Sequence, residues 1–203
     1  MNLLVARIAA VGLAFAAVPA VAVEVVAGSL TAPASFAGIA DATARSAALF
    51  NEAAKVMTHP RCVNCHPVGD RPFQGDSAAN RPHQPPVVRG PDGFGAATMR
   101  CASCHQKANF DPGRMPGHEH WHLAPASMAW QGKTPGQICQ QVKDPARNGN
   151  RTIAQVVEHM SHDTLVGWAW APGVGRTPAP GTQAEFAALL DAWVATGAAC
   201  PAS

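Results

Sequence analysis

The sequence is poor in charge, in aromatic residues and in long apolar runs. Of its 203 residues, 14% are charged and 6% are aromatic, tyrosine is absent, and the formal net charge is +2. A charge this sparse and balanced argues against a protein that binds nucleic acid electrostatically. Beyond the N-terminal segment no stretch approaches the ~18 uninterrupted apolar residues of a membrane-spanning helix, so we expect no membrane span in the mature chain.

Loop-forming residues and ligand-type residues are in excess. The 18 glycines and 18 prolines favour long ordered loops over regular secondary structure. A hydrophobic content of 47% is enough for a core and excludes wholesale disorder. The length allows one domain, or two small ones at most. Six cysteines and nine histidines are also present, and both residue types bind metals and cofactors.

The first residues have the pattern of an export signal. Arg7 is followed by an apolar run from Ile8 to Val18 and by a small-residue A-x-A site that ends at Ala22. So short a run predicts a secretory signal peptide over residues 1–22. An uncleaved N-terminal anchor is the alternative, because residues 23–26 prolong the apolar character. We therefore expect a periplasmic location, which is an oxidising compartment.

Four helices are predicted, one ahead of the cysteine motifs and three in the last third of the chain. Asp41 is a capping residue for a helix that runs to about Met57 and has one apolar face. Proline at the first helical position, or threonine followed three residues later by glutamine or glutamate, indicates the other starts. These starts are Thr134 (before Pro135), Thr152 (with Gln155) and Thr182 (with Glu185), and Gly197 ends the last helix.

Between these helices the sequence has no sustained periodicity and no convincing strand. The segments 67–99 and 109–133 are longer than the ~15 residues usual for unstructured connections in compact domains, so something other than helix packing must hold them. We expect a loose lead-in over residues 23–40. We expect one domain over residues 41–203 that is mainly α with long irregular loops.

The pentapeptide C-x-x-C-H occurs twice, at residues 62–66 (the first motif) and 101–105 (the second motif). It is the attachment pattern of c-type haem, in which two thiols reach the two vinyl groups of one porphyrin and the histidine ligates the iron. The export signal supports this interpretation, because c-type haem is attached outside the cytoplasm. We predict two covalently bound haem c groups that organise the fold. The predicted attachment residues are Cys62, Cys65, Cys101 and Cys104, and the predicted proximal ligands are His66 and His105.

Two other interpretations of these cysteines remain open. The paired C-x-x-C sequences have the composition of a four-cysteine structural zinc site, although this leaves His66 and His105 without a role. A thioredoxin-like redox motif needs a βαβ context, which the sequence lacks.

Cys139 and Cys200 are the only cysteines left once four bind haem. In an oxidising compartment a disulfide is their expected state. It would close a loop of about sixty residues and tie the helix after Thr134 to the C-terminal helix.

Segments outside the two motifs also follow a family pattern. They include His59-Pro60-Arg61, Arg89 to Gly93, Trp121 to Pro125, Met128 to Gly132, Asn148-Gly149, His159 with Asp163, Trp168 to Gly173 and Cys200-Pro201. On these residues and the motifs, from His59 to Pro201, the chain resembles the dihaem c-type cytochromes known as the isoquinoline 1-oxidoreductase subunit. The stretch from Pro112 to His120 departs from that pattern. The resemblance implies an electron-transfer protein whose redox partner is a molybdenum hydroxylase.

Several residues are candidates for the sixth ligand of each iron, which sets the potential of the haem. His83 lies in the loop between the motifs and His122 lies in a family-like segment, while Met115 and Met128 are the thioether candidates. We predict that at least one iron is ligated by two histidines, with His83 or His122 as the distal ligand. His159 is expected to pack or to contact a haem propionate rather than to ligate iron.

Two haems in a mature chain of this size leave little room for a separate substrate domain. The expected function is one-electron transfer between redox partner proteins, as a carrier or as a subunit of an oxidoreductase rather than as an enzyme by itself. The alternatives are a small dihaem peroxidase and a haem sensor of small gases, each of which needs one iron with an open face.

Overall fold

The computed structural model of the chain describes residues 28–77 and 79–203. The predicted signal peptide, residues 1–22, and the first part of the lead-in lie outside these ranges. The described part is mostly helical with long irregular loops, as predicted. Its α-helices are α1 (Ala42–Met57), α2 (Pro60–Val63), α3 (Pro135–Lys143), α4 (Ile153–His162), α5 (Thr164–Gly167) and α6 (Gln183–Ala195). Its 3-10 helices are Pro33–Phe36, Cys101–Ser103, Asp111–Gly113, Ala126–Met128 and Trp168–Trp170.

The four predicted helices are confirmed, and their caps explain where they begin. The Asp41 side chain accepts a hydrogen bond of 2.7 Å from the backbone N–H three residues on, at the start of α1. Capping boxes open α3, α4 and α6 at Thr134, Thr152 and Thr182. In each box the threonine side chain and the side chain three residues later accept from each other's backbone N–H. Because these contacts span three residues, the local sequence is enough to place the helix starts.

The core forms where α6 packs across α1 and α4, with α3 against α1. Phe50 of α1 and Trp193 of α6 are fully buried, and their ring centroids lie 5.0 Å apart. The buried Ser46 hydroxyl donates a hydrogen bond of 3.1 Å to the Trp193 carbonyl. Large aromatic side chains of this kind dominate the energetics of a small core, so the α1–α6 contact is the centre of the fold.

The predicted disulfide between Cys139 and Cys200 is confirmed. Their Cα atoms are 5.6 Å apart, and Cys139 is fully buried within α3. Since Cys200 follows α6, the bond fixes the C-terminal segment against α3.

Two short elements were not expected from the sequence. Pro60 begins α2 three residues after α1 ends, and the His59 side chain caps it by accepting from the Arg61 N–H at 3.2 Å. Strands β1 (Gly95–Ala96) and β2 (Met99–Arg100) form an antiparallel ladder, which corrects the expectation of no strand. Two residues per strand are too few to show the alternation that identifies a strand in sequence.

None of the helices in residues 28–77 and 79–203 combines the length and the apolar character needed to cross a bilayer.

Candidate functional site

The two C-x-x-C-H motifs fold into the same backbone turn. In each, the carbonyl of the first cysteine accepts hydrogen bonds from the N–H of the second cysteine and of the histidine. These bonds are 3.0 and 3.1 Å long at Cys62, and 3.1 and 2.9 Å long at Cys101. The turn keeps both cysteines and the histidine within about one helical turn of each other, as attachment to a single porphyrin requires.

The two motif histidines are oriented by backbone carbonyls. Nδ1 of His66 lies 2.6 Å from the Met128 carbonyl oxygen, and Nδ1 of His105 lies 2.8 Å from the Pro116 carbonyl oxygen. Since a carbonyl only accepts, Nδ1 must carry the proton and donate, which leaves the lone pair on Nε2. A metal-ligating histidine nearly always donates its other ring N–H in this way.

A tryptophan stacks on each of these imidazoles. The ring centroids of His66 and Trp130 are 3.7 Å apart with 7° between the planes, and those of His105 and Trp121 are 4.6 Å apart with 13° between the planes. Each ring is therefore fixed both by a hydrogen bond at Nδ1 and by a flat neighbour.

A cavity of about 650 Å³ lies beside the first motif. Its size is within the range of cofactor pockets in proteins, about 300–1,000 Å³. Helices α1, α4 and α6 contribute Met57, Met160 and Phe186 to its wall, so the cavity borders the helical core. The rest of the wall includes Cys62, Cys65, His66, Arg61, Arg89, Gly93, Phe94, Trp121, His122, Leu123, Met128, Trp130, His159, Asp163 and Trp168.

The thiols of the first motif are held in the neutral form. Burial is the main reason that the pKa of Cys62 is raised to about 12 and that of Cys65 to about 11. Arg61 opposes the shift at both thiols, and Cys101 of the second motif lies near enough to add to it at Cys65. Zinc binding needs the thiolate form of cysteine, which this environment disfavours.

The zinc interpretation also lacks a geometric basis. Within the described ranges, no group of three or more histidine, cysteine, aspartate or glutamate side chains is placed to hold one metal ion. The same holds for the alternating His118, His120 and His122, of which the His118 Nε2 instead lies 3.1 Å from the Thr164 hydroxyl.

His66 is a neutral imidazole at ordinary pH. Burial lowers its pKa to about 4, the Met128 carbonyl opposes this shift, and the nearby His159, Arg89 and His122 lower it further. Its remaining accessible surface lines the cavity. A neutral imidazole with a free Nε2 is the form that ligates iron.

Two buried donors in the cavity wall have no partner among the described residues. They are Nε of Arg89 and Nε1 of Trp130. The nearest carboxylate oxygen to Arg89 Nε belongs to Asp70 and is 3.7 Å away, too far for a hydrogen bond. An unpaired buried donor is costly, so the cavity fits a ligand that carries carboxylates, as the two propionates of a haem do.

The predicted distal candidates divide between the two motifs. His122 lines the first-motif cavity, whereas His83 lies beside the second motif, with its ring centroid 5.9 Å from that of His105. Met128 supplies its carbonyl to His66, and Met115 directly precedes the Pro116 that holds His105. The backbone carbonyls of Met128 and Pro116 are therefore on the Nδ1 side of the motif histidines, and Met128 also lines the first-motif cavity.

Three further residues, Arg89, Trp130 and His159, belong to the site. Arg89 and Trp130 line the cavity from irregular loops. No local sequence pattern indicates that their side-chain donors lack a partner. His159 was expected to pack or to contact a propionate, and it lines the cavity, with its Nδ1 3.3 Å from a carboxylate oxygen of Asp163. The four-residue spacing of His159 and Asp163 on α4 was the available signal, since such pairs lie on one helix face.

No protein-family model, curated protein or solved structure matches the chain. The resemblance to dihaem cytochromes therefore stays a prediction that rests on the residues named above.

Proposed function

We propose that this protein is an exported dihaem c-type cytochrome that carries single electrons between redox partners. The observation that carries the proposal is the repeated arrangement at His66 and His105. Each histidine follows a C-x-x-C turn, donates from Nδ1 to a carbonyl and keeps Nε2 free. Two different surroundings thus leave the same atom, Nε2 of the motif histidine, available to bind a haem iron.

Six residues would hold the two haems. Cys62 and Cys65 would form thioethers with the first haem and Cys101 and Cys104 with the second, with His66 and His105 as proximal ligands. Each bound haem supplies a one-electron Fe(III)/Fe(II) couple. The Met128 and Pro116 carbonyls fix the orientation and raise the basicity of the two imidazoles.

The chain would bury the first haem and neutralise part of its charge. Arg89 and Trp130 line the cavity, and each has a buried donor without a partner among the described residues, which a haem propionate would satisfy. Arg61 lies in the same wall, where it is buried and paired with Asp76. Both burial and neighbouring charge tune the potential of a haem.

An aromatic contact connects the two sites. Trp121 stacks on His105 of the second motif, and its ring meets Trp168 edge-on at 4.9 Å between centroids. Both tryptophans also line the cavity at the first motif. This shared wall supports electron exchange between the two haems, because Trp121 contacts the second motif and also lines the cavity at the first.

The compartment and the partner follow from separate observations. The Cys139–Cys200 disulfide supports an oxidising compartment such as the periplasm. The family resemblance supports a molybdenum hydroxylase as the electron donor. Two histidines at the first-motif cavity, His122 and His159, offer a sixth ligand there, which favours electron transfer over a peroxidase or a gas sensor with an open iron.

Visible and EPR spectra recorded with and without carbon monoxide and cyanide test the function. We expect two low-spin irons that neither ligand changes at neutral pH. A high-spin iron that binds carbon monoxide or cyanide would contradict electron transfer as the sole role and would indicate the peroxidase or the sensor.

A further inference from the structure

We infer that His83, from the loop that follows the first motif, is the sixth ligand of the haem attached at the second motif, opposite His105. The inference rests on the proposed function and assigns one of its iron ligands. The loop that follows the first motif would therefore supply an iron ligand at the second motif.

The separation of the two rings is the first observation. The ring centroids of His83 and His105 are 5.9 Å apart, with 61° between the planes. Two imidazoles on opposite sides of one metal ion have centroids roughly 6 Å apart, because each metal–nitrogen bond is about 2 Å long. The measured distance thus agrees with axial ligation by both rings.

The second observation is the proton arrangement of the pair. Nδ1 of His83 lies 2.9 Å from the Pro85 carbonyl oxygen, and Nδ1 of His105 lies 2.8 Å from that of Pro116. Both rings therefore carry their proton on Nδ1. In the described part of the chain neither Nε2 makes a hydrogen bond, so both lone pairs are available for a metal.

The third observation is the support of His83 on an otherwise irregular loop. The Arg71 guanidinium donates two hydrogen bonds to the His83 carbonyl, 3.1 Å from Nε and 2.6 Å from Nη2. The His83 N–H donates to the Pro72 carbonyl at 2.9 Å. Phe73 N–H then donates to the Asn64 carbonyl within the first motif, at 3.1 Å. A hairpin anchored at the first motif thus delivers His83 to the second.

Arg71 is a positioning residue in this arrangement. It touches neither ring and acts by holding the backbone of His83. A ligand must be held within a fraction of an ångström to bind well, so loosening this backbone weakens ligation without removing the ligand.

The main test is the substitution His83→Ala in the full chain, with intact mass confirming two haems in every sample. We expect one of the two low-spin EPR signals to be replaced by a high-spin signal, the lower-potential wave to be lost, and added imidazole to restore the low-spin signal. His162→Ala, an exposed histidine on α4, is the control and should change nothing. Two unchanged low-spin irons in His83→Ala would overturn the inference and leave the haem count standing. Fewer than two haems in the unsubstituted protein would overturn the proposed function itself.

A chemical measurement assigns His83 to the second haem and does not depend on that variant folding. Diethyl pyrocarbonate followed by peptide mapping should leave half-buried His83 unmodified while exposed His120 reacts. In the Cys101→Ala/Cys104→Ala chain, which lacks the second haem, His83 should become reactive. Modification of His83 in the two-haem protein at the rate of His120 would overturn the inference.

Arg71 is tested against its neighbour on the same hairpin. Arg71→Ala should let cyanide bind the second haem at a concentration that leaves the unsubstituted protein unchanged, and Arg71→Lys should bind less cyanide than Arg71→Ala at that concentration. Arg81→Ala should resist cyanide as the unsubstituted protein does. Equal effects of the Arg71→Ala and Arg81→Ala substitutions would show that Arg71 has no positioning role.

Discussion

The first C-x-x-C-H site is built against the helical core, whereas the second is built almost entirely from loops. The first motif begins in α2, and its cavity reaches side chains of α1, α4 and α6. The second begins in a three-residue 3-10 helix, and its Cys104 is exposed. The turn and the histidine orientation are nonetheless the same at both. The motif therefore determines the local geometry, and the surrounding chain would determine how deeply each proposed haem is buried.

If each motif binds a haem as proposed, this difference predicts that the two haems contribute unequally to folding. The first would fill a space inside the core, while the second would join loops at the surface. A haem at the first site would cover the apolar side chains that line the cavity, so its loss would leave them exposed to water.

Removing each haem in turn should give the largest contrast. We expect Cys62→Ala/Cys65→Ala to abolish cooperative thermal unfolding and most of the helical circular dichroism, because the cavity would collapse or flood. Cys101→Ala/Cys104→Ala should keep the helical signal of α1, α3, α4 and α6. Equal loss of helix in the two variants would contradict the proposed inequality of the sites.

Removing the disulfide should have a smaller effect, confined to stability. Cys139→Ala/Cys200→Ala should lower the free energy of unfolding by about 4 kcal/mol, the chain-entropy value for a loop of this length. The spectra of both haems should not change, because neither residue lines the first-motif cavity. A change of iron spin state in this variant would show that the helical core also controls the ligands.

A glycine-to-alanine substitution just after the second motif should affect only the second site. Its cost in stability should be smaller than that of removing the disulfide. A Cβ at Gly117 would collide with the backbone carbonyls of Ala108 and Gln106, just after the second motif. Gly117→Ala should therefore cost about 1–3 kcal/mol by overpacking and disturb the Pro116 carbonyl that holds His105. Gly69→Ala, where a Cβ would meet nothing within 4 Å, is the matched control. A spectral change confined to the first haem would contradict this prediction.

The parts of the structure that were predictable from the sequence depend on short-range rules. Asp41, Thr152 and Thr182 cap helices through contacts three residues away, so the helix starts could be predicted. The Cys139–Cys200 pairing followed from counting cysteines.

The parts that were not predictable depend on contacts between distant loops. His66 is held by Met128, 62 residues away, through a backbone carbonyl that any residue could supply. No periodicity or residue type identifies such an acceptor. His83 could be selected only as a loop histidine, because its approach to His105 depends on Arg71 and on the hairpin between the motifs.

Intact-mass spectrometry of the denatured, exported protein tests the central claim most directly. Two covalent haems predict the mass of the mature chain plus two haem groups, with no thiol at Cys62, Cys65, Cys101 or Cys104 available to an alkylating reagent. Recovery of unmodified thiols at Cys62 or Cys101 in the native protein would contradict the account.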